Sequence, residues 1–149
     1  MPRVSTTFAL VGAIVTLACR ERADVDNHGA PPGAAAKALS QFAEETGVKL
    51  PSAAHLIGVR RGERGDVRAK LILNERDWGE FRETMPVSED ELGPGTRGFM
   101  DADEDWWDPH ATKNLRAGQI QRSSGAYLNV GIDDSDPSAV SVYIFQFGP

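Results

Sequence analysis

The sequence predicts an α+β domain: an antiparallel sheet of about five strands packed with two main helices and one short helix. Three observations predict it. Apolar residues recur at helical spacing over 34–46 and again over 74–85. Strand-like segments occur over 54–59, 67–73, 119–122, 126–132 and 139–147, several with apolar residues at every second position. The resulting order is helix, strand, strand, helix, short helix and three strands, without the strand–helix–strand alternation that builds a parallel sheet.

In the first helix Ala35, Ala38, Leu39, Phe42 and Ala43 form one apolar stripe, Gly47 supplies a stop, and Pro51 follows. The next two strands are joined by Gly62-Glu63-Arg64-Gly65, a hairpin connection in which glycine is available for positive φ. In the second of them Val67, Ala69, Leu71 and Leu73 alternate with Arg68 and Lys70, which predicts one wet face. Asn74 caps the second helix, Trp78, Phe81 and Met85 are its expected buried residues, and Pro86 ends it. Residues 87–100 read as loop, with Gly93-Pro94-Gly95 and Gly98. A short helix is expected at Asp108-Pro109, the aspartate as cap and the proline in the first turn, stopping before Gly118. Ser123-Ser124-Gly125 and the run from Asp133 to Ser138 separate the last three strands. Leu128, Val130 and Ile132 share one face of their strand, as Val140, Val142 and Ile144 do of theirs.

The first nineteen residues have a different character. A positive start at Arg3 precedes an uncharged run from Val4 to Ala18, and Cys19 is followed abruptly by Arg20-Glu21-Arg22. This is the build of an export signal, shorter than the roughly 20 apolar residues a spanning helix needs. Val15-Thr16-Leu17-Ala18-Cys19 resembles the lipobox of bacterial lipoproteins, with Ala18 directly before the cysteine and Thr16 in the place usually held by leucine. The resemblance implies cleavage after residue 18, fatty acylation of Cys19, and a protein held on a membrane by lipid. Arg20, where an aspartate would signal retention at the inner membrane, implies an outer-membrane address facing the periplasm in a cell with two membranes. Cys19 is also the only cysteine, so no intramolecular disulfide forms, and lipidation accounts for an otherwise unexplained thiol in an exported chain. Residues 19–33, polar and rich in proline and glycine, read as a tether, and 34–149 as a single domain.

The formal net charge of the 149-residue chain is −6, and loss of Arg3 with the signal makes the remainder more acidic. That balance argues against sequence-independent nucleic-acid binding and against broad attraction to anionic lipid.

The most conspicuous candidate surface is Asp101-Ala102-Asp103-Glu104-Asp105-Trp106-Trp107-Asp108. Asp101, Asp103 and Asp105 repeat like the start of a calcium loop. The sixth place, however, holds Trp106 instead of glycine, and the twelfth holds Thr112 instead of glutamate. Trp106 and Trp107 beside carboxylates suit a binding platform, since aromatic faces stack on sugars and cations. The opposing expectation is one core tryptophan and one partly exposed, over an acidic, solvated loop. His28, His55 and His110 form no metal-ligand spacing, and no nucleophile elbow or phosphate-cradling loop occurs. Arg60, Arg61 and Arg64 read as a charged hairpin tip. No catalytic residue, metal ligand or cofactor site is expected.

The expected function is therefore an accessory or binding lipoprotein that uses Asp101, Asp103, Asp105, Trp106 and Trp107 toward an envelope protein or cell-wall partner. The same loop also fits two other classes, a wall hydrolase using its carboxylates and a sugar or cation binder using the tryptophans. Trp106-Trp107-Asp108-Pro109, Gly118, Gly125 and the strand over 128–132 resemble small bacterial envelope proteins, a resemblance that implies no particular activity.

Overall fold

The computed structural model describes residues 25–26, 31, 33–96 and 98–149. Cys19 and the expected signal lie outside the described residues.

The first helix, α1, runs from Ala34 to Thr46 between Gly33 and Gly47, both in the left-handed region. Gly47 allows the chain to turn where a β-carbon would strain it. Ala38 and Phe42 are buried, and the buried Thr46 hydroxyl donates to the Phe42 carbonyl at 2.8 Å. The hairpin of β2 (His55–Arg61) and β3 (Val67–Leu73) follows. Its turn is closed by the Gly62 N–H donating to the Asp66 carbonyl, with Gly65 at φ 80°. α2 (Glu75–Thr84) starts on Asn74, whose side chain accepts from the Asp77 N–H at 2.9 Å. It buries Trp78 and Phe81, whereas Met85 lies beyond its end and is half-buried.

The remaining strands are β4 (Gly93–Pro94), β5 (Arg116–Gln121), β6 (Tyr127–Asp133) and β7 (Val140–Phe147). A two-residue β1 (Val25–Asp26) pairs with Val59 and Gly58 of β2, so part of the segment expected as tether lies on the sheet. The described sheet has the order β1-β2-β3-β7-β6-β5-β4, each neighbour antiparallel. The α+β class and antiparallel sheet are as expected. The strand total differs because β1 and β4, two residues each, have too little pattern to be seen in sequence.

β5 also begins earlier than expected. Gly118, read as a break before the strand, pairs with Val130 inside it. A β-carbon there would stand 2.5 Å from Val87, so the glycine marks close packing. The short helix is a single 3-10 turn, Pro109–Ala111.

Two cores flank the sheet. On one face Leu71, Leu73, Leu128, Val130, Ile132, Val142 and Ile144 meet Phe42 and Phe81 from the helices. On the other, Tyr143, Phe145 and Ala117 meet Phe99, Trp107 and Leu115. The expected wet face is thus covered: Arg68 and Lys70 are half-buried because residues 98–112 cross over them.

Phe81 is fully buried. Phe81→Ala is expected to lower unfolding free energy by about 3–5 kcal/mol, read as a lower urea midpoint with an unchanged slope.

Candidate binding surface

The second face is built from one cross-strand row. Gly58 is paired with Lys70, Lys70 with Tyr143, Tyr143 with Gly131, and Gly131 with Ala117. The two glycines are sockets. A β-carbon on Gly58 would lie 2.3 Å from the Trp106 ring, and one on Gly131 would lie 3.0 Å from Phe99. The missing side chains therefore let the crossing segment sit directly on the sheet.

That segment is fastened along its length. The Asn129 side-chain amide donates to the Gly98 carbonyl. Trp107, 5% exposed, packs edge-on against Tyr143 at 5.7 Å, and its indole N–H donates to the Met100 carbonyl at 2.9 Å. Glu104 lies 3.5 Å from Arg60 and 3.3 Å from Arg68. Asp108 lies 2.5 Å from the Lys70 ammonium and accepts from the Tyr143 hydroxyl at 2.7 Å. Thr112 completes this group, its hydroxyl 3.0 Å from that of Tyr143.

Burial alternates along the segment. Ala102, Glu104 and Trp106 are half-buried, while Asp101, Asp103 and Asp105 are exposed. Inward residues bind the segment down and outward ones face solvent. Asp101 lies 3.5 Å from His110. Among the described residues, Asp103 and Asp105 make no side-chain hydrogen bond or ion pair.

The Lys70, Asp108 and Tyr143 group is electrostatically coupled. Burial works against the charge on Lys70, but hydrogen bonds with Asp108 and Tyr143 outweigh it and raise the ammonium pKa above its usual 10.5. Burial likewise opposes ionisation of Asp108, and hydrogen bonds from Lys70 and Tyr143 overcome it, lowering the carboxyl below 3.8. Burial pushes the Tyr143 hydroxyl up from 10.0. Both charges are thus retained at neutral pH, tying the segment to β3 and β7.

Of the residues singled out in the sequence, Asp101, Asp103, Asp105 and Trp106 remain accessible to differing degrees. Trp107 is in the core, so the two tryptophans do not form a joint platform. They meet edge to face at 5.9 Å and 85°. Asp108 starts the 3-10 turn, but its side chain makes no capping bond and turns to Lys70 and Tyr143 instead. His55 is exposed at the start of β2, far in sequence from His110, and His28 lies outside the described residues. Among the described residues, no group of three histidine, cysteine, aspartate or glutamate side chains is placed to hold a metal ion. Arg60 and Arg61 pair with Glu104 and Glu45, leaving Arg64 exposed on the turn. Lys70, Tyr143 and Thr112 were not singled out. A signal existed for Tyr143: the unbroken run Val142-Tyr143-Ile144-Phe145 marks a strand covered on both faces.

Two outcomes follow from this geometry. Trp107→Ala should cost about 3–5 kcal/mol, and Trp106→Ala clearly less, as read by chemical denaturation. In pH titrations of stability, the contribution of ionised Asp108 is present above about pH 4 and lost as pH falls through its depressed pKa. Asp108→Asn should therefore flatten the acid limb of the profile. The contribution of Lys70 is present below about pH 10.5 and lost as pH rises through its elevated pKa, so Lys70→Met should flatten the alkaline limb.

Compared with known proteins, the chain matches no family model, no curated protein and no solved structure.

Proposed function

We propose that the protein is an envelope lipoprotein, held on a membrane through Cys19, whose domain binds another envelope component with the outward side of residues 101–106. The carrying observation is the division of labour along that segment. Glu104 and Asp108 are engaged with Arg60, Arg68, Lys70 and Tyr143, whereas Asp103 and Asp105 are exposed and take no part in holding the fold. Asp103 stands at a bend and Asp105 in the turn closed by the Trp107 N–H donating to the Glu104 carbonyl at 2.9 Å, so these carboxylates form an outward acidic row on a support fixed from beneath. Half-buried Trp106 adds an apolar edge beside the row.

A row of this kind suits a cationic surface on a protein or wall component. Its charge favours encounter and orientation, with an expected dependence on salt. The reading does not call on catalysis, since the engaged acidic groups are accounted for by the ion pairs that fasten the segment. Exported location rests on the signal and lipobox resemblance at residues 1–19.

The test combines anchor and surface. Intact-mass analysis should find Cys19 acylated and residues 1–18 absent, and Cys19→Ser should release the protein from the membrane. Asp101→Asn, Asp103→Asn and Asp105→Asn together should change stability by no more than about 0.5 kcal/mol each. A photo-crosslinker at position 103 should capture a partner in intact cells, with a control at exposed Asp90 giving none. The triple variant should abolish that capture. Equal capture at both positions, or capture indifferent to the triple change, would remove the acidic row from the proposal.

A further inference from the structure

We infer that β1 is a short leash that holds the β2–β3 hairpin end of the domain against the headgroup layer of an anionic phospholipid membrane. The inference rests on the reading of Cys19 as the lipid anchor, and it adds which end of the domain meets the lipid.

The first argument is length. Cys19 is separated from Val25 by six residue steps, and each step spans at most about 3.3–3.6 Å, so the attachment reaches roughly 20 Å at full extension. If the same chain were free up to Ala34, fifteen steps would reach roughly 50 Å. Pairing of Val25 with Val59 and Asp26 with Gly58 therefore removes more than half of the available slack. A seven-residue strand such as β2 is itself about 23 Å long, so the leash is no longer than the strand that holds it.

The second argument is direction. β1 is antiparallel to β2, and its register runs backward from Val25 toward Arg60 and Arg61. The anchor side of β1 thus leads to the turn at Gly62-Glu63-Arg64-Gly65. The opposite end of the sheet carries the β6–β7 turn, because Leu73 pairs with Val140 while Val67 pairs with Gln146. That far end reaches the lipid only if the leash lies taut along the whole strand, a state with almost no conformational freedom.

The third argument is charge. At the hairpin end Arg60 and Arg68 are paired with Glu104 and Arg61 with Glu45, and exposed Arg64 stands in the same turn as Glu63 and Asp66, so that end is close to charge balance. The far turn bears Asp133, Asp134 and Asp136. An anionic headgroup layer repels the acidic far turn more than the balanced hairpin end, in the same sense as the leash. Overall acidity does not oppose this, because orientation depends on how charge is distributed along the molecule and not on its sum.

The experiment uses the full, lipidated chain in vesicles of equal parts phosphatidylcholine and phosphatidylglycerol. With the Cys19 thiol consumed by acylation, a cysteine introduced by Glu63→Cys or by Ala139→Cys carries a single fluorophore. A nitroxide on the lipid headgroup should quench the label at 63 several-fold more than the label at 139. Val25→Pro with Asp26→Pro removes N–H donors from the β1 ladder and should bring the two quenching levels together. Mass spectrometry of the same samples separates the two possible failures. An unmodified Cys19 removes the anchor reading itself. Acylated protein with equal quenching at both positions, or with a gradient unaffected by the proline changes, overturns the leash.

Discussion

Both cores depend on the position of β7, the last strand of the chain and a central one in the sheet. It lies between β3 and β6, so its backbone closes both hairpins into one sheet. Its side chains serve both faces: Val142 and Ile144 meet the helices, while Tyr143 and Phe145 meet the crossing segment. Loss of its pairing would therefore leave two half-sheets, each with an exposed edge, and would uncover both cores together. The arrangement also makes the fold non-local. Residues 67–73 acquire their second neighbour only from residues 140–146, a long loop closure that precedes most of the apolar gain.

The second face shows how small residues determine what can cover a sheet. Gly58 and Gly131 lie on one cross-strand row, and each holds an aromatic ring where a β-carbon would crowd it. Between them stand Lys70 and Tyr143, whose polar atoms would be costly to bury unpaired. Asp108 answers both at once. Shape selects where Trp106 and Phe99 settle, and charge selects which acidic residue turns inward.

Periodicity made much of the first face legible. The stripe of α1, the alternation of β3 and the Asn74 cap each have a local cause, so they were readable from a few neighbouring residues. The second face was legible only in outline, because its partners are distant in sequence. Nothing near Lys70 announces Asp108, and nothing near Gly58 announces Trp106. Arg68 and Lys70 suggested a wet surface because long cationic side chains usually reach water; here acidic residues from the crossing segment come to them. Asp108-Pro109 has the local form of a helix cap, and the tertiary ion pair prevails over it. Gly118 likewise has the local form of a break, although its cause is Val87 pressed against the strand. Of the acidic row, the exposed members Asp101, Asp103 and Asp105 were visible in the sequence, but their separation from Glu104 and Asp108 by function was not.

That separation bears on which substitutions the segment tolerates. Substitution of Glu104 or Asp108 disturbs ion pairs that bind the segment to β2, β3 and β7, so it alters the fold and the surface together. Substitution of Asp103 or Asp105 alters the charge presented to solvent while leaving those attachments in place. Exposed charges away from special features generally change stability little, whereas an uncompensated group in a half-buried cluster costs more. The segment thus combines a physical requirement on its inner side with freedom on its outer side. The outer carboxylates can be replaced one at a time without repacking Trp107 or Phe99 beneath.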